Sequence, residues 1–266
     1  MGHKKHSIEV ISCIANKHQA RQVLEAGADA IYAGLKNRSW YNSKIELSWE
    51  DLLEAADIVH EYGKKLYIAI NRDLSDGDVD EILSYSQYLE DKTFDGLIVS
   101  DWGCIAALRR RSPNIEIHLS ANTACVNPSD FRLARQLGIQ RVVCSPSLKF
   151  KEMKTMVKEF EDFEWEAITY GGICFSEVSH CPCQVENNGK VFHDTCRHEY
   201  IFLGNGNNRK KPESFGMPHL DGGVARDLYR AGVYHWKIEG RAKGIKHIVE
   251  GTRTLRTLAD QIQEEC

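Results

Sequence analysis

Short apolar segments alternate with longer amphipathic ones along nearly the whole chain, and this alternation constrains the fold more than any other sequence feature. Eight apolar segments have the length and composition of β-strands. They lie at residues 8–15, 30–34, 65–71, 96–101, 116–123, 141–145, 164–170 and 235–241. Parallel strands need a long crossover, usually a helix, between them. Eight such units in 266 residues predict an α/β protein, specifically a closed (β/α)8 TIM-like barrel.

The seventh unit departs from this pattern. Residues 171–234 separate the seventh and eighth strands, and their sequence predicts an irregular, cysteine-rich insertion in place of a helix. The chain is thus expected to be a single barrel domain, 1–266, that contains this insertion. Because the insertion follows the carboxyl end of strand seven, it is expected at the face where barrel enzymes hold their active sites. An open doubly wound sheet is the alternative, but no glycine-rich dinucleotide loop follows strand one.

The overall composition restricts the class of protein. The sequence is 42% apolar and 27% charged, with a net charge of −4, which is typical of a globular protein without a global basic field. No apolar run approaches the roughly 18–20 residues of a membrane span, and the first residues lack a signal-peptide pattern. The expected location is the cytoplasm. Two basic runs, 109–113 and 208–213, are expected to be solvated surface, with tRNA contact as the alternative.

Nine cysteines are unusual for a chain expected in a reducing compartment, where disulfides are rare. Four lie among apolar segments and are expected to be buried core thiols: Cys13, Cys104, Cys125 and Cys144. Four others form a C-x6-C-x-C-x12-C pattern: Cys174, Cys181, Cys183 and Cys196. Four thiolates in one loop can surround a metal ion or an iron–sulfur cluster. The spacing is that of neither a zinc ribbon nor a ferredoxin, so unligated thiols are the alternative.

Six sequence blocks carry a resemblance to a known family. They are VLEAGADAIYAGLKNRS, GLIVSD, EIHLS, YGGICFSEVSHC, CRHEY and AGVYHWKIEGRAKG. Together they resemble the collagenase-like peptidase family U-32. The resemblance implies a 4Fe–4S cluster and oxygen-independent hydroxylation of ubiquinone precursors or of a tRNA uridine, with prephenate as the hydroxyl source. Peptidase activity has less support, because the sequence contains neither an HExxH zinc motif nor a G-x-S-x-G elbow.

The resemblance also implies the cluster ligands. Cys174 and Cys181 match the family signature, and Cys196 lies in CRHEY, where members usually carry a C-x3-C pair. Phe192 stands at the first position of that pair, and Leu220 stands where members often have a further cysteine. We expect the fourth thiolate to come from Cys183. The other candidates for this fourth position are His193, His219, Cys13 and Cys144. A three-cysteine cluster with an open iron is a further alternative, and zinc is the alternative metal.

Charged side chains on strand eight are the second candidate functional feature. Lys237, Glu239 and Arg241 share one face, while Trp236 and Ile238 share the other, because side chains alternate along a strand. The apolar face should pack against the helices, so the three charges are predicted to point into the barrel and are candidate catalytic residues. A structural Lys237–Glu239 ion pair is one interpretation. The other is that Arg241, nearest the mouth, binds a substrate carboxylate through its planar fork.

The same alternation predicts further residues at the mouth. Asn71, Asp101 and Asn122 are predicted to end strands three, four and five facing inward, with His118 below Asn122, and to bind substrate. Tyr170 ends strand seven beside the cysteine-rich segment and is a candidate catalytic residue, with simple packing as the alternative.

Taken with the resemblance, these features predict an iron–sulfur enzyme of oxygen-independent hydroxylation, or of a related oxygen or sulfur transfer. Its expected substrate is a small aromatic molecule or a tRNA base, and its expected small-molecule partner carries a carboxylate, as prephenate does. Two alternatives remain open. One is a hydrolase that uses zinc or a thiol, and the other is a non-catalytic partner of a paralogous subunit.

Overall fold

Eight parallel strands form a closed barrel in the computed structural model, which describes residues 6–39, 45–171 and 222–265 and the backbone of four two-residue strands between 186 and 208. The barrel strands are β1 (Glu9–Cys13), β2 (Ala30–Leu35), β3 (Lys65–Ile70), β4 (Gly96–Val99), β5 (Ile117–Leu119), β6 (Arg141–Val143), β7 (Glu164–Tyr170) and β8 (His235–Ile238). β1 pairs in parallel with both β2 and β8, which closes the barrel. The predicted (β/α)8 barrel is confirmed.

Helices follow the strands around the outside of the barrel. They are α1 (Ala20–Glu25), α2 (Trp49–Glu61), α3 (Asp76–Ser84), α4 (Ser86–Glu90), α5 (Trp102–Arg111), α6 (Pro128–Gln136), α7 (Phe150–Glu159), α8 (Gly222–Ala231) and α9 (Ile245–Glu265). Side-chain caps define several of their starts. Ser48 accepts a hydrogen bond from the backbone of Asp51 at α2, and Ser75 forms a capping box with Asp78 at α3.

The seventh unit contains a helix, so the prediction of an irregular segment is wrong from residue 222 onward. α8 packs against α7 and α9 and buries Ala225 and Leu228, which lie three positions apart on one helical face. Two short antiparallel strand pairs precede it: Glu186–Asn187 with Lys190–Val191, and Leu203–Gly204 with Asn207–Asn208. The helical periodicity of α8 is only ten residues long, which is why the surrounding irregular sequence obscured it.

Several strands end earlier than the sequence predicts. β4 ends at Val99, and β5 ends at Leu119 before the 3-10 turn Ala121–Thr123. In both places a polar side chain bonds to the backbone instead of continuing the strand. Asp101 accepts from the N–H of Cys104, and Ser120 accepts from the N–H of Asn122. These local bonds shape the loops at the carboxyl-terminal mouth of the barrel.

The apolar core lies between the strands and the helices. Trp236 and Ile238 are fully buried on the outer face of β8, as their alternation predicts. Trp165 on β7 packs edge-on against Phe131 of α6. Within the described ranges, none of the helices combines the length and the apolar character that a membrane span requires.

Candidate active site

Arg241 lies at the carboxyl-terminal mouth of the barrel. It begins the 3-10 turn Arg241–Lys243, directly after Gly240. Its side chain is only 9% exposed. Nη1 donates to Ser39 Oγ over 3.3 Å, and the guanidinium carbon lies 5.3 Å from the centre of the Tyr32 ring. In the described part of the chain, the guanidinium therefore contacts a hydroxyl and an aromatic face rather than a carboxylate.

The two asparagines predicted at the mouth meet there. Asn122 Nδ2 donates to the backbone oxygen of Asn71 over 2.8 Å, and Asn71 Oδ1 accepts from Ser39 Oγ over 2.9 Å. Both asparagines are partly exposed. Because Ser39 also contacts Arg241, one continuous set of hydrogen bonds links residues that follow β2, β3, β5 and β8. This set forms the candidate active site.

Lys237 points into the barrel as predicted, but its ion-pair partner is Glu166 rather than Glu239. Lys237 Nζ lies 2.7 Å from Glu166 Oε1, and both residues are buried. Burial lowers the pKa of Lys237, and Glu166 offsets only part of that effect. Burial opposes ionisation of Glu166, but the charges of Lys237 and Arg141 outweigh it and lower the pKa of this carboxyl. The alternation of EWEAITY could have predicted this partner, since it places Glu166 on the face of β7 that points into the barrel.

A second charged cluster surrounds the buried Arg141, nearer the amino-terminal end of the barrel. Arg141 Nη1 is 2.8 Å from Glu9 Oε2, and its Nη2 is 2.7 Å from Glu164 Oε2. His235 Nδ1 hydrogen-bonds to Glu9 over 2.7 Å. Burial would raise the pKa of Glu9, but the hydrogen bond to His235 and the charge of Arg141 lower it to about 2. Sequence patterns do not reveal this cluster, because its members lie on four different strands.

His118 lies in the barrel interior and joins the buried groups below the mouth. Its Nε2 bonds to Glu116 Oε1 over 2.7 Å, and its ring centre lies 4.6 Å from that of Tyr67. Burial, and next the charge of Arg141, hold the pKa of His118 well below its ordinary value, so the ring is neutral. Its role in substrate binding stays a prediction.

Asp101 serves as a helix cap, which corrects the expectation that it ends β4 facing inward. Its Oδ1 accepts from the N–H of Cys104 over 2.7 Å at the start of α5. The residue before it, Ser100, hydrogen-bonds across to the backbone of Arg72 beyond β3. The capping requirement of α5 therefore determines the direction of the Asp101 carboxylate.

Tyr170 ends β7 as predicted, and its ring packs outside the barrel against α9, as in the packing alternative; its catalytic role stays a prediction. A Cβ at Gly251 of α9 would lie 2.5 Å from Tyr170 Cε1, and the His247 ring centre is 5.2 Å away. A register shift explains this orientation. The pairing of β7 with β8 skips a residue, so Tyr170 lies opposite Ile238, which faces outward.

The cysteine-rich segment leaves the barrel at the mouth. Gly171 follows β7 with a φ of 127°, and a Cβ there would lie 2.2 Å from the backbone oxygen of Glu239. The segment therefore begins directly against the end of β8. Outside the described residues lie Cys174, Cys181, Cys183, Cys196, His193 and His219.

The four cysteines predicted as core thiols are buried and unpaired within the described ranges. Cys13 ends β1, and Cys144 follows β6; burial raises the pKa of both thiols to about 12. No group of three or more potential metal-ligating side chains occurs in the portion of the chain that the structure describes.

The first basic run lies away from the mouth. It ends α5, just before β5 begins, and therefore lies at the amino-terminal end of the strands. The guanidinium of Arg109 donates to the backbone oxygens of Leu137, Gly138 and Ile115. Arg109 thus joins two loops, while Arg110 and Arg111 are exposed. The second run lies outside the residues whose side chains are described.

Comparison with known proteins agrees with the resemblance. Residues 15–266 match Peptidase family U32. The tRNA hydroxylation protein P of Helicobacter pylori strain J99 is 26% identical over 96% of this chain and 65% of its own length. The tRNA hydroxylation protein P1 of Bacillus subtilis is 25% identical over 95% of this chain and 63% of its own length. The 23S rRNA 5-hydroxycytidine synthase of Escherichia coli is 24% identical over 98% of this chain and 40% of its own length.

The chain thus spans less than two thirds of the length of these curated relatives. Among solved structures, a U32 peptidase superposes with a TM-score of 0.60 and 13% identity, over 90% of this chain and 96% of its own. A thiamine phosphate pyrophosphorylase from Pyrococcus furiosus superposes with a TM-score of 0.56 and 14% identity, over 96% of both chains. At this identity, the structural likeness shows the barrel fold alone.

Proposed function

We propose, on the premise that this chain belongs to Peptidase family U32, that it acts in the oxygen-independent hydroxylation of an RNA base. Relatives that align with nearly the whole chain are named as tRNA hydroxylation proteins and as an rRNA hydroxycytidine synthase. The structural observation that carries the proposal is Arg241. A nearly buried guanidinium at the catalytic face of a barrel is suited to bind an anionic small molecule.

The anionic molecule proposed for Arg241 is a carboxylate-bearing hydroxyl donor such as prephenate. A guanidinium can hold a carboxylate through two parallel hydrogen bonds, which fixes its orientation as well as its position. Nη1 is engaged by Ser39, and the edge formed by Nε and Nη2 can receive the carboxylate. Asn71 and Asn122 supply neutral amide groups to the same mouth. Amides suit the uncharged polar edge of a base or of a ring substituent.

The proposed cofactor is a 4Fe–4S cluster held by Cys174, Cys181, Cys183 and Cys196, with zinc as the alternative metal. Four thiolates are the usual ligand set of such a cluster, and their segment begins at Gly171, on the same rim as Arg241. A bound cluster would supply an iron able to polarise a substrate oxygen. Cys13 and Cys144 are weaker candidates for the fourth ligand, because burial disfavours their thiolate forms.

A paralogous second polypeptide is part of the proposal, because relatives of this chain occur in a pair within one organism. Bacillus subtilis has two relatives of this chain, named P1 and P2. A paralogous subunit would contribute to the RNA contacts. The first basic run does not serve this purpose at the mouth, since it lies at the opposite end of the barrel.

Complementation tests the proposed reaction. The chain is expressed, alone or with a paralogue, in an anaerobically grown Escherichia coli strain that lacks its own tRNA hydroxylation protein P. Nucleosides from tRNA and 23S rRNA are then analysed by mass spectrometry. We expect a nucleoside one oxygen heavier to be restored by wild type and by Arg226→Lys, a matched change on α8, but not by Arg241→Lys or Cys174→Ser. The proposal is contradicted if the wild-type chain restores no hydroxylated nucleoside, whether it is expressed alone or with the paralogue.

Anaerobic purification tests the cofactor. A broad absorption near ~400 nm with about four irons and four sulfides per chain is expected for a thiolate-bound cluster. Stoichiometric zinc without iron would reject the cluster in favour of the zinc alternative.

Calorimetry with prephenate tests the role of Arg241. Arg241→Lys keeps the charge but loses the fork, so it should weaken binding by roughly 1–3 kcal/mol and leave the iron content unchanged. Equal binding by both proteins would remove Arg241 from the site. Loss of iron in the variant would instead assign Arg241 to supporting the cysteine-rich segment.

A further inference from the structure

We infer that Ser39 is a positioning residue for Arg241. It holds Nη1 so that the edge formed by Nε and Nη2 faces the mouth, where a carboxylate binds. This inference rests on the proposed role of Arg241 and extends it to Ser39, for which neither the cysteine signature nor the strand alternation predicts a role.

The hydrogen bonds of Ser39 have a defined direction. Its hydroxyl is fully buried, accepts from Arg241 Nη1 over 3.3 Å and contacts Asn71 Oδ1 over 2.9 Å. A hydroxyl has one hydrogen to donate. Asn71 Oδ1 can only accept, so it takes that hydrogen and leaves a lone pair of Ser39 Oγ directed at Arg241. The acceptor itself is held in place, because Asn122 Nδ2 donates to the backbone oxygen of Asn71 over 2.8 Å.

Gly34 provides the space in which this contact forms. A Cβ at Gly34 would lie 2.2 Å from Arg241 Nη1 and 2.7 Å from Ser39 Oγ, far inside ordinary van der Waals distance. Even an alanine would therefore displace the guanidinium or the hydroxyl. Gly34 and Ser39 both belong to the sequence block AIYAGLKNRS, and both lie against Arg241 Nη1.

The Tyr32 ring supports the guanidinium from a second direction. Tyr32 OH donates to the backbone oxygen of Ile238 over 3.0 Å, which ties the ring to the end of β8. The guanidinium carbon lies 5.3 Å from the ring centre, within the range of a cation–π contact. With Tyr32 on one side and Ser39 at Nη1, the rotation of the Arg241 fork is restricted before any ligand arrives, and such preorganisation lowers the cost of binding.

A purely structural role makes a different prediction. Arg241 and Ser39 are 202 positions apart in the chain, so their contact could serve only to join the loop after β2 to the end of β8. In that case, loss of the Ser39 hydroxyl would lower stability without changing ligand affinity. Ser12 is the matched control, because it is also fully buried and bonds across the fold to Thr252 Oγ1 over 2.8 Å.

Calorimetry with prephenate, with thermal melting of each variant, distinguishes these roles. Ser39→Ala should weaken binding by about five- to tenfold, the effect of losing one hydrogen bond, while Ser12→Ala should bind as wild type does. In an Arg241→Lys background, Ser39→Ala should cause less than about a twofold further loss, because residues that act through one group are not additive. Gly34→Ala should weaken binding at least as much as Ser39→Ala.

The outcomes separate this inference from the proposed function. If wild type binds prephenate and Ser39→Ala binds equally well, the positioning role is wrong and the carboxylate role of Arg241 stands. Full additivity of Ser39→Ala and Arg241→Lys would also overturn the positioning role, since it would place the two residues in independent contacts. If wild type binds no prephenate, the carboxylate role fails and this inference fails with it.

Discussion

Replacing Lys237 by methionine should destabilise the folded protein by about 3 kcal/mol. Lys237 Nζ lies 2.7 Å from Glu166 Oε1 in the barrel interior. Removal of one partner from a buried ion pair costs about 3–5 kcal/mol, because the other charge is left buried and unpaired. Glu166 retains one cation, since Arg141 Nη1 lies 3.4 Å from its other oxygen. This remaining contact places the expected loss at the lower end of the range.

The double variant Lys237→Met with Glu166→Gln tests whether the cost of Lys237→Met comes from the unpaired charge of Glu166. Glutamine is neutral, so no unpaired charge remains in the barrel interior, and its side-chain oxygen can still accept from Arg141. The double variant should therefore be about 1–2 kcal/mol more stable than Lys237→Met alone, because a neutral pair of similar volume avoids the desolvation of charge.

Urea unfolding at pH 7, followed by circular dichroism, measures these differences. Lys64→Met is the matched control: Lys64 Nζ lies 2.9 Å from Asp29 Oδ1, but its side chain is 37% exposed, so the loss should stay below about 1 kcal/mol. If Lys237→Met costs no more than Lys64→Met, or if the double variant is less stable than either single one, the electrostatic account of the barrel interior is wrong.

Three further predictions concern the ligands, acid stability and peptidase activity. Serine substitutions at the cluster cysteines Cys174, Cys181 and Cys196 should each strongly reduce iron content, because a hydroxyl replaces a soft thiolate; Cys125→Ser, in the buried core, should not. The lowered pKa of Glu9, about 2, contributes at most about 3 kcal/mol above its ordinary pKa of 4.5, and this is lost as the pH falls toward 2. In urea unfolding, the stability gap between wild type and Glu9→Gln should therefore shrink steadily below pH 4.5; a constant gap would contradict the shift. The purified holoprotein should not cleave gelatin, since the sequence contains neither an HExxH zinc motif nor a G-x-S-x-G elbow; cleavage that survives repurification and is abolished by a site variant would contradict this.

Local sequence patterns were sufficient for the architecture of the barrel. Strand–helix alternation extends over nearly the whole chain, and each unit is recognisable within some thirty residues. A wrong prediction for one unit, such as the seventh, therefore leaves the predictions for the other units unchanged. The cap at Ser48 is equally local, because capping involves residues three positions apart. The inward direction of Lys237 also follows from a local property, the alternation of side chains along a single strand.

The misplaced residues show where local patterns end. Alternation predicts that Asp101 faces inward, but its carboxylate caps the start of α5 by accepting from the N–H of Cys104. Tyr170 ends β7 as predicted, but the register shift between β7 and β8 turns its ring outward. Each outcome depends on how a strand end meets its neighbour, and alternation within one strand contains no information about that.

The composition of the candidate site was decided by tertiary structure. Lys237 and Glu166 are 71 positions apart, and Arg241 and Ser39 are 202 apart. Such partners meet only after the barrel has closed through the pairing of β1 with β8, at a register set by the packing of all eight strands. The sequence alone determined that charges would enter the barrel from β8. Only closure of the barrel decided that Lys237 would be neutralised by a glutamate, while Arg241 would meet a hydroxyl and an aromatic ring at the mouth.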